Sequence, residues 1–290
     1  MTFSIKADGP NSDEIEYWNG PQGKNWVKQN DLTDLMYDPF GAKAIEHAAL
    51  SAGERVLDVG CGCGKTTGRL ADLVAPGGHI TALDVSVPML EVARSRIASS
   101  AALVNFISAD AATYKFEPEG YDVLFSQFGL MFFRNPQEAF SNLFRALKPG
   151  GRAAFVCWRR PELNPFLMIP FEAVRSFVPD IPVPSPDVPA SPFSLAPEGR
   201  VHKLLADAGF KDVQLEEFDY PTRMGKGDLE ACLSFVADFS NPVATALRRC
   251  DPAMAPKILD AVRTAVSPYY TGETLELPAS AWIVGARRPL

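Results

Sequence analysis

The sequence predicts an α/β fold, a mostly parallel sheet of seven strands with helices on both faces, and three observations carry that prediction. Between Arg55 and Trp158 short apolar runs alternate with amphipathic segments, which is how parallel strands joined by crossover helices read. The first run meets a glycine-rich junction, Val56-Leu57-Asp58-Val59-Gly60-Cys61-Gly62-Cys63-Gly64. Two later runs, Val213 to Tyr220 and Ala281 to Ala286, complete the count, and the helical pattern between them excludes a simple hairpin.

Residues 1–48 precede any strand. They hold an aromatic and amide cluster, Tyr17-Trp18-Asn19-Gly20 followed by Gly23-Lys24-Asn25-Trp26. Two readings stay open for the tryptophans: packing on the outer core, which is the common fate of Trp, or a lid over a bound cofactor. Leu32, Leu35, Met36, Phe40, Ala44, Ile45 and Ala48 form an apolar stripe at helical spacing, so the segment is expected to be helical.

Residues 50–160 form the cofactor-binding half. Arg55 to Val59 read as a buried parallel strand, and the glycines after it permit a tight turn whose backbone N–H groups can face a ligand. A helix following the turn would add the positive end of its dipole. His79 to Asp84 is the second strand. Its terminal acid, Asp84, is the expected ribose ligand, because an acid at that strand end accepts two ribose hydroxyls in nucleotide-binding sheets. Ser86 can cap the next helix, with Pro88 in its first turn and Leu90, Ala93 and Ile97 facing the sheet. Leu103 to Ser108 leads into Ala109-Asp110-Ala111, and Tyr121 to Gln127 leads into Phe128. Asn135-Pro136-Gln137-Glu138 resembles a capping box, with Ala139, Phe140, Leu143, Phe144 and Leu147 inward. Lys148-Pro149-Gly150-Gly151 then turns into Arg152 to Trp158.

Beyond Trp158 the pattern changes. In residues 160–198, Asn164 to Phe177 is a short helix rich in aromatics, and seven prolines between Pro179 and Pro197 predict an extended, substrate-side surface insertion. Val201, Leu204, Leu205 and Ala208 share one helix face that Gly209 stops. Residues 222–278 read as a helical insertion, with Leu229, Leu233 and Val236, then Ile258, Val262 and Val266, and are assigned to a cap or a self-association surface that would make a homodimer. The whole, 1–290, is organised as one domain with insertions.

Three glycine-loop readings compete at Gly60 to Gly64, and spacing separates them. A phosphate-binding Walker loop needs a glycine five residues before Gly64-Lys65, where the chain has Val59. The dinucleotide fingerprint needs its third glycine one residue later, which moves a nicotinamide-dependent oxidoreductase down the order. The form present, Asp58-x-Gly60-x-Gly62-x-Gly64 after a strand, resembles motif I of the class I S-adenosylmethionine-dependent methyltransferases. Cys61 and Cys63 resemble the small residues of that motif, and Leu147-Lys148-Pro149-Gly150-Gly151 resembles a turn of the family's UbiE-like quinone-biosynthesis branch. The resemblance runs over residues 50–160 and returns at 205–213.

That resemblance implies a Rossmann-like seven-stranded sheet, S-adenosylmethionine as cofactor and a small-molecule methyl acceptor. It implies a cofactor site of Trp26, Asp58, Gly60, Cys61, Gly62, Asp84, Val85, Met89, Asp110, Ala111 and Ser126. The acceptor side is expected at Tyr17, Phe128, Phe132 and Phe166. Nucleobase amino-methyltransferases carry an Asp/Asn-Pro-Pro-aromatic segment where this chain has Ser126-Gln127-Phe128-Gly129, which together with the negative charge favours a small-molecule acceptor. Phe128, Met131, Phe132 and Phe133 suggest that it is apolar or aromatic, with transfer to oxygen or carbon expected and nitrogen left open. His202 and Tyr17 are the imaginable bases, but nothing in their spacing marks them, and no catalytic residue is assigned. A protein of this fold that binds the cofactor as a sensor, without turnover, is the alternative.

Composition narrows the partners. The chain has 290 residues, 47% of them hydrophobic, and carries a net charge of −7, so a nucleic-acid partner is not expected. Met1 to Pro10 are polar and include Asp8, so neither a signal peptide nor a membrane span is expected, and the protein is read as cytoplasmic. Five cysteines fit reduced thiols rather than a disulfide framework. Cys61-x-Cys63 lacks a second pair, and the three histidines share no ligand spacing, so no metal is expected.

Overall fold

The computed structural model describes residues 2–97 and 102–290. The chain begins with three helices, α1 (Ser12–Asn19), α2 (Pro21–Lys28) and α3 (Asn30–Ala48). An alternating stretch follows: β1 (Arg55–Val59), α4 (Lys65–Val74), β2 (His79–Asp84), α5 (Val87–Arg96), β3 (Leu103–Ser108), β4 (Tyr121–Gln127), α6 (Pro136–Ala146) and β5 (Leu147–Trp158). Then come α7 (Pro165–Val174), α8 (Glu198–Ala208), β6 (Lys211–Asp219) and β7 (Thr222–Met224). The chain closes with α9 (Leu229–Phe239), α10 (Asn241–Arg249), α11 (Ala255–Val266), β8 (Leu275–Leu277) and β9 (Ser280–Arg287).

Seven strands form one sheet in the order β3-β2-β1-β4-β5-β9-β6. It is parallel except for β9, which lies antiparallel between β5 and β6. From β1 the chain winds outward to β2 and β3, then crosses back to β4 on the other side, so the crevice above β1 and β4 is the topological switch point. Val56 to Val59 are buried on both faces, which is why β1 reads as a continuous apolar run, whereas Leu103 on edge strand β3 is 70% exposed.

Four local expectations are corrected. On α3 the buried face carries Thr33, Met36, Tyr37, Phe40, Gly41, Ala44 and Ala48, while Leu35 is 52% exposed. The face is chosen by what it meets, since Phe40 packs among Phe128, Trp158 and Phe218, and a Cβ on Gly41 would stand 2.5 Å from Gln127 Oε1. Ser86 occupies the N-cap position of α5, but its hydroxyl donates to the Trp18 carbonyl 2.8 Å away and caps nothing. The Lys148–Gly151 turn lies inside β5 as an interruption of the register, between the Tyr121–Leu147 and Val123–Arg152 pairs. Finally, the Pro-rich segment has no helix or strand, yet its second half is core rather than surface. Phe193, Leu195 and Ala196 are buried, Ser194 Oγ donates to the Met131 carbonyl at 2.5 Å, and the Trp282 indole donates to the Ala196 carbonyl at 2.9 Å.

The insertion at 222–278 holds α9, α10 and α11, and β7 pairs with β8 as a two-stranded antiparallel neck that brings its ends together. Three-residue strands are too short for alternation to announce them. Asn164 ties this end of the molecule together: its Nδ2 donates to the carbonyls of Arg159, Arg160 and Ser280, and its Oδ1 accepts from Ser280 N at 2.9 Å. It is fully buried, so Asn164→Ala strands backbone groups without partners. A destabilisation of about 1 to 3 kcal/mol is expected, read as a lowered urea midpoint at unchanged slope.

Candidate cofactor and acceptor site

One cavity of about 640 Å³ opens above the carboxyl ends of β1, β2, β4 and β5. α1 and α2 roof it, residues 181–193 form one wall, and Phe239 to Pro242, at the α9–α10 junction, form another.

The glycine loop forms its floor. Gly60, Gly62 and Gly64 have φ of 72°, 54° and 80°, the left-handed region that side chains avoid. Gly60 and Gly64 are also required by packing, since a Cβ would stand 2.9 Å from Gly129 Cα and 2.8 Å from Ala93 Cβ respectively. A Cβ on Gly62 would meet only Met89 Sδ, at 4.0 Å, so this glycine leaves space on the cavity side. The expectation of N–H groups turned toward a ligand is corrected for four residues. Gly60 and Cys61 donate to the Leu83 carbonyl, Gly62 to the Asp84 carboxylate and Gly64 to the Cys61 carbonyl. The first three brace the loop after β1 against β2, and the fourth closes the loop on itself.

Three acids punctuate the floor. Asp58 is buried and accepts from Thr67 Oγ1 at 2.7 Å; burial pushes its carboxyl up to about 7, with the Thr67 bond opposing and Asp84 adding. Asp84 takes Gly62 N and Ser86 N at 2.8 Å each, yet burial still raises its carboxyl above the ordinary range. Asp110 accepts from Asn11 Nδ2 through both oxygens, at 3.0 and 3.1 Å, and from Ala112 N at 2.9 Å. Burial pushes the Cys63 thiol up to about 12 and raises Cys61 as well, so both act as small neutral fillers rather than as thiolates.

Aromatic rings line the opposite side. Phe128 stacks on Trp158 with centroids 3.9 Å apart, and Trp26 stacks on Tyr37 at 5.8 Å. Phe128 has φ 59°, an outlier for a bulky residue. Its N–H donates to the Val156 carbonyl, and Gly129 N donates to Ser126 Oγ. Trp18 meets Trp26 and Phe132 edge-on, so the tryptophans both pack and cover the cavity.

Of the residues expected at the site, Trp26, Asp58, Gly60, Cys61, Gly62, Asp84, Val85, Met89, Asp110 and Ala111 line this cavity, and so do Tyr17, Phe128 and Phe132. Two expected residues do not. Ser126 is wholly buried, and its hydroxyl donates to the Val59 carbonyl at 2.7 Å, so it supports the turn at Phe128 from behind. Phe166 is core, packed on Trp158 at 4.8 Å, and its neighbour Leu167 reaches the cavity instead. His202 lies on α8 beside Glu198, away from the lining.

Sequence reasoning missed Asn11, Glu14, Tyr37, Gln127 and Trp158, all of which line the cavity. Gln127 ends β4, where it accepts from Thr66 Oγ1 and donates to the Tyr37 carbonyl at 3.1 Å. Asn11 carries no local signal, since its partner lies in another segment altogether. It holds Asp110 with its amide nitrogen and accepts from Arg134 N with its oxygen.

Residues 56–151 match the family model of the methyltransferase domain. The demethylmenaquinone methyltransferase of Clavibacter sepedonicus is 42% identical over 137 residues, 47% of this chain and 54% of that protein. The ubiquinone/menaquinone biosynthesis C-methyltransferase UbiE of Pseudomonas aeruginosa is 33% identical over 175 residues, 54% of this chain and 68% of that one. The chain spans about half the length of the first curated relatives it matches. In fold it is similar to a phosphoethanolamine N-methyltransferase of Haemonchus contortus, solved with phosphomonomethylethanolamine and S-adenosylhomocysteine. That likeness has a TM-score of 0.57 at 19% identity and covers 99% of this chain and 61% of the other.

The Asp58 carboxyl makes stability depend on pH. Its proton is held more tightly in the folded chain than in the unfolded one, so the folded state binds more protons between the ordinary aspartate range and about pH 7. Stability from this group is complete at low pH and is lost as pH rises through that window. Asp58→Asn keeps an acceptor for Thr67 but cannot ionise. The stability difference between variant and wild type, from urea midpoints, should grow in favour of the variant from pH 4 to pH 8; a constant difference would show that Asp58 does not titrate there.

Proposed function

Because the chain belongs to the class I S-adenosylmethionine-dependent methyltransferases, we propose that it binds S-adenosylmethionine over β1 and β2 and passes its methyl group to an oxygen or carbon of a small aromatic acceptor. The observation that carries the reading is the single cavity that joins the glycine loop and its acids to an aromatic wall. Two features fit a resident ligand. Trp26 Nε1 is buried, lines the cavity and has no partner, so a ligand acceptor atom would complete it. The space beside Gly62 is the second.

In this reading Asp84 holds the ribose, Asp110 with Ala111, Val85 and Met89 borders the adenine, and Asp58 faces the cationic end of the cofactor. When bound, S-adenosylmethionine supplies a methyl already activated by its sulfonium, so alignment and exclusion of water are the main demands. Such positioning is worth about 7 to 11 kcal/mol. Phe128, Trp158, Phe132 and Phe239 supply flat apolar walls for the acceptor, and the relatives' names, with their quinone products, agree with an aromatic acceptor of that shape. Residues 1–48 serve as the lid, 160–198 as the acceptor wall and 222–278 as the cap of one domain. No described helix is long and apolar enough to cross a membrane. The cysteines are free thiols, which suits a reducing cytoplasm.

Calorimetry tests the cofactor. Heat from S-adenosylhomocysteine and none from NAD is expected, and the reverse would sink the reading. Because Asp84 also braces Gly62 and Ser86, Asp84→Asn is a milder probe of its role than alanine. It should weaken S-adenosylhomocysteine binding by about 1.5 to 3 kcal/mol, roughly tenfold to a hundredfold, and an unchanged Kd would place the ribose elsewhere.

A further inference from the structure

The cavity contains one acid whose purpose the cofactor reading leaves open. Asp34 and Asp38 are paired with Arg96 and Arg69 at 2.8 and 2.6 Å, and Asp13 with Arg134 at 2.7 Å. Asp58, Asp84 and Asp110 hold Thr67, the loop N–H groups and Asn11. Glu14, on α1 in the roof, is the remaining described carboxylate of the lining, with Trp18 and Arg134 near enough to favour its charged form. Tyr17 stands one helical turn on from it and lines the same space.

We propose that Glu14 is the general base that removes the proton from a hydroxyl or carbon acid of the acceptor during methyl transfer, with the Tyr17 phenol donating a hydrogen bond to the acceptor oxygen. The inference rests on the methyltransferase reading above. The acceptor's O–H or C–H bond breaks and its proton goes to a Glu14 carboxylate oxygen. The electron pair left behind forms the new bond to the methyl carbon, and the carbon–sulfur bond breaks with its pair on sulfur, leaving a neutral thioether. Glu14 returns the proton to water when the product leaves.

The surroundings suit that role. Burial pushes the Glu14 carboxyl up to about 7, outweighing Arg134 and the Trp18 bond, while Asp13 adds to the rise. Burial, then the charge of Glu14, pushes the Tyr17 phenol far up, with Arg248 from α10 opposing, so Tyr17 stays protonated as a donor. The groups facing Glu14 are thus Asp13 and Tyr17 from α1 and Arg134 from the segment between β4 and α6, with Arg248 acting across Tyr17. Glu14 protonated is inactive, so kcat/KM should climb with pH through about 7 and then level.

The experiment compares wild type with E14Q and E14D on phenol, catechol, naphthohydroquinone and the matching anilines, with S-adenosylhomocysteine binding measured alongside. E14Q should lose about 100-fold to 10,000-fold in kcat on the hydroxyl acceptors and lose the rise near pH 7. It should keep its S-adenosylhomocysteine Kd within twofold, and E14D should recover part of the rate. Independently of turnover, two carboxyl carbons should titrate near 7 in the NMR spectrum of wild type, and in E14Q the glutamate signal should vanish while the aspartate signal of Asp58 stays. Full turnover by E14Q, or a cofactor Kd that weakens with the rate, would overturn the assignment. So would a wild type that binds S-adenosylhomocysteine but methylates only anilines or nothing in the panel, since a neutral amine has no proton that must leave before attack. Failure of wild type to bind S-adenosylhomocysteine would instead strike the methyltransferase reading.

Discussion

The site depends on how closely β1 and β4 approach at their carboxyl ends. A Cβ on Gly129 would stand 2.7 Å from the Val59 carbonyl, and one on Gly60 would stand 2.9 Å from Gly129 Cα, so only glycine fits on both sides. Ser126 Oγ closes the gap by donating to Val59 and accepting from Gly129 N. That contact forces the chain to turn sharply, and the strain appears one residue earlier, at the left-handed Phe128. Phe128 is then laid flat on Trp158, so the constraint that packs two strands also sets the aromatic wall of the cavity.

Electrostatics follows from the same closeness. Asp58 and Asp84 are both buried, where a carboxylate is costly unless something offsets the lost hydration. Asp84 is offset by backbone N–H groups, while Asp58 has one hydroxyl and a like charge nearby, so its proton is retained to higher pH. The N–H groups of Gly60, Cys61 and Gly62 hold Leu83 and Asp84 rather than facing a ligand. The cavity therefore offers a ligand acids and ring faces rather than an anion-binding nest, and a cationic ligand suits it better than a phosphate.

How much of this was legible depended on sequence distance. The strands, their order of appearance and the acids at Asp58, Asp84 and Asp110 are visible because motif and periodicity are local. Asn11 is not, since its value lies in Asp110, 99 residues away. Ser126 and Gln127 are neighbours at the end of β4, so pleating sends their side chains to opposite faces, and which face borders the cavity is set by the packing of distant segments rather than by local spacing. On α3 the apolar stripe pointed to Leu35, but the helix turned to seat Tyr37 and Gly41, because Gly41 allows contact with Gln127 where a larger residue could not. Phe166 looked like an acceptor residue by its chemistry alone, and its direction from α7 put Leu167 in that place.

The roof of the cavity is ordered by its contacts rather than by its own helices. α1 and α2 have eight residues each, too short to persist alone in water, so they owe their order to docking. On one flank Asn19 bonds Val85 and Val87, and Ser86 bonds Trp18; on the other, Lys28 and Gln29 reach Asp238 on α9. Polar contacts of this sort contribute only about 0.5 to 1.5 kcal/mol each, because water replaces them when they break. The rings of Trp18 and Trp26 add apolar contact in the middle, where they also face the cavity. Asp110 belongs to both parts, lining the cavity and, through Asn11 at the start of α1, tying the roof to the end of β3, so one carboxylate joins roof and floor.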